Sequence, residues 1–186
     1  MDVREAIHQR RSVKRFRERV PSEEEIEDLL GLAVLAPNHR MTEPWSFRVL
    51  GPEGRRAYGE ALGARKARKV EDPDAAGALH RKTLENAVSV PLMVGVIQHL
   101  ADDLEVREED YASCYMGVQN ICLGAVGMGL ATHVKTGAVL EDPPLRKALG
   151  VAEGERLVAL LHVGEPAEIP DPKPRTPARE RTRWLP

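Results

Sequence analysis

Aromatic residues and cysteines are both scarce in this chain. Aromatics make up 4% of the residues, and the two cysteines are Cys114 and Cys122. They lie eight residues apart in one apolar run, which on a helix separates them by about 12 Å along the axis. That distance is too long for a disulfide. The sequence therefore excludes a disulfide framework and predicts two buried, apolar cysteine side chains.

The sequence also lacks a dominant charge and the signs of a membrane protein. The formal net charge is -2, with 30% charged residues, which indicates a solvated surface and no global basic field for nucleic acid. The N-terminal residues MDVREAIHQRR do not suit a signal peptide, so we expect a cytoplasmic protein. Gln119 and Asn120 interrupt the longest apolar run, which argues against a membrane span.

Several familiar catalytic motifs are missing as well. GAVGMG at 124–129 lies inside a predicted helix instead of following a strand, so it is not a dinucleotide fingerprint. There is no P-loop, no HExxH and no cysteine–histidine pair at metal-binding spacing. Serine, histidine and aspartate are scattered without a G-x-S-x-G elbow. These absences exclude metal-dependent and triad hydrolysis.

The most informative stretch that is present runs from Glu108 to Ala131, EEDYASCYMGVQNICLGAVGMGLA, and predicts a buried central helix. Small residues recur on one face of that helix: Ser113, Gly117, Gly124, Gly127 and Ala131. A glycine inside a helix costs roughly 1 kcal/mol relative to alanine, so another backbone or a flat ligand should approach closely. Two interpretations remain open: a tightly packed core helix, or a helix buried against its own copy in a dimer.

Around this helix the patterns predict further helices and strands. Helices are expected at 2–11, from Ser22 to a stop before Pro37, at 53–69 and 73–88 (both exposed), and at 142–149. Strands are expected at 45–50, 91–98, 132–135 and 156–163, followed by an extended, proline-rich arm at 164–186. The elements mix without regular βαβ alternation, which favours an α+β fold in a single domain, 1–186.

Three polar stretches could carry chemistry. In RRSVKRF at 10–16, arginine offers a planar fork for phosphate, and Lys14 offers a charge that can stabilise a developing anion. The loop at 36–44 joins a capped helix to a strand, a natural place for ligand binding. The third stretch is Lys173-Pro174-Arg175 in the arm. Taken singly, each stretch is explained better as solvated surface than as a binding site.

In combination the motifs resemble those of the nitroreductase family of FMN-dependent oxidoreductases, most closely its compact branch. The resemblance is carried, in this order, by RRSVKRF at 10–16, APNHRMTEPWSF at 36–47 and YMGVQNICLGAVGMGLAT at 115–132. It implies an α+β fold, an intertwined homodimer with a long central helix, and two FMN sites at the interface.

The resemblance also implies which residues bind the cofactor. One subunit would contribute Arg10, Arg11, Ser12 and Lys14, and the other subunit Pro37, Asn38 and His39. Val134, Lys135 and Thr136 would make further flavin contacts, and either Lys173 or Arg175 would complete the phosphate site. Lys14 would lie near the flavin N1–C2 edge and raise the flavin's potential. No catalytic side chain and no metal are implied. Where relatives carry tryptophan before a Lys/Arg-Ser pair, this chain has Val134, so the wall on the acceptor side is expected to differ.

The implied activity is hydride transfer from NADH or NADPH through FMN to a nitroaromatic, a quinone or a similar acceptor, by a ping-pong mechanism. Two alternatives stay open. The same site could serve flavin storage or sensing, or a specialised oxidase or dehydrogenase. A nucleic-acid or partner-binding module would use the basic N-terminal turn and the arginine-rich tail, but the net charge of -2 speaks against it.

Overall fold

An antiparallel sheet of four strands forms the centre of the molecule in the computed structural model, which describes all 186 residues. The strands are β1 (Trp45–Leu50), β2 (Leu92–His99), β3 (Ala131–Lys135) and β4 (Glu155–Gly164), in the spatial order β1-β2-β4-β3. Each begins and ends within one residue of its predicted position. β2 and β4, the two most apolar runs, take the central places, as strands buried on both faces should. The α+β prediction is confirmed.

Six α-helices surround the sheet. They are α1 (Val3–Gln9), α2 (Glu23–Ala33), α3 (Pro52–Ala67), α4 (Pro73–Val88), α5 (Leu104–Gly127) and α6 (Pro143–Ala148), with short 3₁₀ turns at Ala138–Glu141 and Ala178–Arg181. The predicted capping box of α2 is present: Glu25 N–H donates to Ser22 Oγ over 3.2 Å, and Ser22 N–H donates to the Glu25 carboxylate over 2.8 Å. No helix combines the length and apolar character needed to cross a membrane.

α5 is the predicted central helix, with corrected bounds. It begins at Leu104, because the Asp103 side chain caps it by accepting from Val106 N–H over 3.0 Å. It ends at Gly127, and a left-handed turn at Gly129 (φ 73°) follows. Ala131 therefore belongs to β3 and does not extend the small-residue face of the helix.

The glycines of α5 meet α2 of the same chain. A Cβ on Gly117 would lie 3.0 Å from the Ala33 carbonyl oxygen, and a Cβ on Gly124 would collide with Leu32 Cδ1. Gly127 has open space around it within the chain. Packing within the chain thus explains both positions: a close backbone at Gly117 and the Leu32 side chain at Gly124. Of the three glycines, only Gly127 is left for the dimer interpretation to explain.

The sheet separates two hydrophobic cores. On one face α2 and α5 bury Cys114, Cys122 and Leu161, which confirms the two cysteines as buried apolar residues. On the other face α3, α4 and α6 cover residues such as Leu160, so α3 and α4 are not the wholly exposed helices that their charge suggested. Tyr58 of α3 is only 1% exposed.

The apolar side chains of α1 divide between the core and the surface. On α1, Ala6 is buried, but Val3 and Ile7 are 64% and 55% exposed. The C-terminal arm is attached at its base, where Ala167 N–H donates to Arg15 O over 3.0 Å. Residues 167–186 beyond that point are exposed.

Candidate functional site

The segment that follows α1 runs alongside β3 and extends the sheet edge. Ser12 forms a parallel bridge with Thr132, and Val13 N–H donates to Thr132 O over 3.0 Å. Val13 is buried at 1% exposure. Because successive side chains of an extended segment point to opposite sides, this anchoring turns Ser12 and Lys14 outward.

Outward of this segment lies a cleft of about 790 Å³. Six cationic side chains line it against two carboxylates: Arg10, Arg11, Lys14, Arg15, Lys173 and Arg175 against Glu168 and Asp171. The one apolar side chain among the lining residues is that of Ile7, apart from Pro170 and Pro172. Such a surplus of positive charge favours an anionic ligand, and phosphate above all.

The basic residues at this end of the cleft have different roles. Arg11 folds back on the end of α1, where its Nη1 donates to His8 O over 2.7 Å and to Arg10 O over 2.9 Å, while its buried Nε has no partner. Arg10, Ser12 and Lys14 make no side-chain hydrogen bond within the chain. Their donors are therefore free, and as a set they fit a phosphate group.

β3 brings His133 and Lys135 to the cleft side of the sheet edge. Lys135 Nζ lies 3.2 Å from both ring nitrogens of His133; since the ring's in-plane positions point apart, it donates to one at most. Val134 points to the other face and packs against the α5 core, so only its backbone can contact a ligand in the cleft. Thr136 is exposed at the end of the strand.

Burial and mutual repulsion govern the charge of this group. Burial, then Lys135 and Lys14, lower the pKa of His133 to about 4. His162, directly opposite in register on β4, has its pKa lowered to about 3 by burial and then by Lys135 and His133. Burial, Lys66 and Lys14 lower the pKa of Lys135 to about 8. Both imidazoles are therefore neutral at pH 7.

The loop at 36–44 lies apart from this cleft, so Pro37, Asn38 and His39 do not join the other predicted residues within one chain. The Asn38 side chain bonds within the loop and also reaches α5, where its Nδ2 lies 3.4 Å from Asp110 Oδ1. Its Oδ1 accepts from Glu43 N–H over 2.8 Å, and its Nδ2 donates to Thr42 Oγ1 over 3.1 Å. His39 is exposed and makes no side-chain hydrogen bond within the chain.

The model of the nitroreductase family matches residues 7–165. The chain belongs to the nitroreductase family. Among its relatives is YfhC of Bacillus subtilis, named as an NAD(P)H nitroreductase, with 31% identity covering 96% of this chain and 92% of that protein.

Solved structures of the nitroreductase family agree in fold. A nitroreductase-like family protein from Bacillus cereus superimposes with a TM-score of 0.86 at 27% identity, over 100% of this chain and 96% of that one. The FMN- and NADPH-dependent nitroreductase NfnB from Sphigopyxis sp. strain HMH has a TM-score of 0.79 at 20% identity, over 100% and 99%. The second likeness supports the fold alone.

Sequence reasoning missed several residues of this site. His133 had no predicted role, although the register of β3 with β4 places it in the cleft lining. Glu168 and Asp171 enter the lining from the arm, a position that no local pattern reveals. Asp110, buried on α5 beneath the 36–44 loop, gave no signal beyond being a polar residue in an apolar run.

Proposed function

We propose that this nitroreductase family member is an FMN-dependent oxidoreductase that passes hydride from NADH or NADPH to a nitroaromatic, a quinone or a similar acceptor, by a ping-pong mechanism. The observation that carries the proposal is the cationic cleft with free donors on Arg10, Ser12 and Lys14. The name of the relative YfhC, NAD(P)H nitroreductase, supports the same conclusion.

The chain's own residues would bind and tune the cofactor. Arg10 and Ser12 from one wall, with Lys173 and Arg175 from the arm, suit the phosphate and ribityl oxygens. Lys14 would hold a positive charge at the edge where negative charge gathers on reduction. Bound FMN supplies the two-electron chemistry itself, so the protein contributes orientation and electrostatics, and water can supply protons.

We further propose that a second copy of the chain completes the site. A flat tricyclic ring needs apolar walls, yet Ile7 is the one apolar side chain, prolines aside, in the cleft of a single chain. Several apolar side chains are exposed on α1, α2, α5 and the 34–44 segment: Val3, Ile7, Leu32, Leu35, Met41 and Met116. A homodimer would cover them and bring the loop, with Pro37, Asn38 and His39, to the partner's cleft.

A titration of FMN against two matched variants tests the cofactor site. Arg10→Gln removes a cation that lines the cleft, whereas Arg17→Gln removes an exposed cation from the same segment outside it. We expect Arg10→Gln to weaken FMN binding by about tenfold or more, the size of one charge-assisted hydrogen bond, and Arg17→Gln to leave it unchanged. If both variants bind FMN with equal affinity, the FMN phosphate does not bind in this cleft.

The alternatives of storage, sensing or a specialised oxidase use the same cleft and differ in their response to nicotinamide. A cytoplasmic location and a single domain stay predictions.

A further inference from the structure

Side chains of the 36–44 loop alternate between α5 and solvent. Those that face α5 are Asn38, Arg40 and Thr42. Those that face outward are His39, Met41 and Glu43, all exposed, with Met41 at 75%. One half of the loop therefore holds it in place, and the other half is presented outward.

Asp110 of α5 is the buried centre of these contacts. It is 3% exposed and forms no ion pair with any lysine or arginine. Thr42 Oγ1 donates to Asp110 Oδ1 over 2.5 Å, and Asn38 Nδ2 lies 3.4 Å from the same oxygen. A buried carboxylate is costly unless hydrogen bonds compensate it, so these two loop side chains and Asp110 hold each other in position.

The other contacts of the loop with α5 are weaker. Arg40 Nε donates to Glu109 over 3.0 Å and its Nη2 lies 3.4 Å from Glu105, but the Arg40 side chain is 45% exposed. Exposed ion pairs of this kind contribute little. The Asp110–Thr42 hydrogen bond is thus the principal tie between the loop and the helix.

The loop has a strained backbone conformation. Met41 and Glu43 both have left-handed backbones, with φ of 51° and 46°, and they are the only non-glycine residues in the chain with positive φ. Such conformations persist where surrounding contacts impose them, and they are often found at functional sites. Both strained residues flank Thr42, the loop residue that binds Asp110 most closely.

We propose that Asp110 is a positioning residue, whose buried carboxylate fixes the 36–44 loop so that His39 and Met41 are presented to the oxidised acceptor. This rests on the proposed function, in which the loop lies beside the partner's flavin. The hold on the loop itself depends only on contacts within one chain.

The test compares three variants of the full-length protein. Asp110→Asn removes the charge with little change of shape, and Thr42→Val removes the hydroxyl that donates to it. Glu108→Gln is the matched control, because it removes the same charge from an exposed residue of α5 that has no side-chain partner. Trypsin cleavage after Arg40, located by mass spectrometry, measures opening of the loop. Steady-state kinetics with menadione give the KM and kcat for the acceptor, which report whether the loop is placed to bind it.

We expect Asp110→Asn and Thr42→Val to speed cleavage after Arg40 and to raise KM for menadione by about tenfold, with kcat changed less than twofold. Glu108→Gln should match the parent protein in both the rate of cleavage and the KM. If cleavage and KM stay unchanged in both loop variants, Asp110 does not hold the loop.

Faster cleavage with an unchanged KM would show that Asp110 fixes the loop but would overturn the loop's role in acceptor binding. If Asp110→Asn fails to fold, Thr42→Val decides the question by the same two measurements. If the parent protein binds no FMN, the proposed function fails, and trypsin alone then tests whether Asp110 holds the loop.

Discussion

A methyl group added at Gly117 tests the packing of α5 against α2. In Gly117→Ala the new Cβ would lie 3.0 Å from the Ala33 carbonyl oxygen, which is tighter than ordinary van der Waals contact. That oxygen accepts from Ala36 N–H over 3.1 Å, at the point where α2 gives way to the 36–44 loop. Relieving the clash therefore requires a backbone shift and not merely a side-chain rotation.

The size of the effect follows from two opposed contributions. Overpacking a close contact costs about 1–3 kcal/mol. Replacing a helical glycine with alanine gains roughly 1 kcal/mol. The expected net change for Gly117→Ala is a loss of about 0–2 kcal/mol, relative to the parent protein. Gly31 in α2 is a matched control, because a Cβ there meets nothing within 4 Å, and Gly31→Ala should gain the roughly 1 kcal/mol alone.

Thermal unfolding followed by circular dichroism measures the difference. The two variants should differ by about 1–3 kcal/mol, and each kcal/mol moves Tm by roughly 2–4 °C in a chain of this size. If Gly117→Ala is as stable as Gly31→Ala, the close approach of the two helices is refuted. Gel filtration of a third variant, Gly127→Leu, tests the dimer interpretation, since loss of the dimer with an unchanged monomer fold would place the partner at Gly127.

The remaining predictions concern charge. The pKa values of His133 and His162 are lowered to about 4 and about 3 from an ordinary 6.5, so the unfolded chain binds more protons below pH 6.5. As the pH is lowered from about 6.5 to about 3, the free energy of unfolding should therefore decrease, by at most about 1.4 kcal/mol per pH unit for each histidine. His162→Phe should flatten that dependence in urea unfolding, and an unchanged slope would refute the assignment. Lys14→Ala should leave Tm unchanged but lower the potential of bound FMN and slow its reduction by about tenfold or more, as redox titration and stopped-flow absorbance would show. An unchanged potential would remove Lys14 from its proposed role.

Local chemistry in the sequence accounts for much of the fold. Ser22 and Glu25 define a helix start that needs no tertiary context, and the apolar runs in β2 and β4 are typical of central strands. The start of α5 was harder to predict, because its first turn is charged and the Asp103 cap is not evident from the apolar pattern. The buried faces of α3 and α4 depend on small residues and Tyr58, which charge-rich composition conceals.

The candidate site was predictable only in part. Alternation in the 10–16 segment turns Ser12 and Lys14 outward once Val13 is buried, and that pattern is local. The place of His133 depends on strand register with β4, and that of Asp110 on a loop folding back over a helix. Both are long-range contacts, which periodicity and spacing do not encode.

Anaerobic absorbance spectroscopy of the purified protein, with FMN added if needed, tests the central claim most directly. The account predicts a yellow protein that bleaches on addition of NADH or NADPH and recovers its colour when a quinone or a nitroaromatic is added. A yellow protein that does not bleach would contradict the reductase and favour storage or a specialised oxidase. A colourless protein that takes up no FMN would contradict the cofactor site itself.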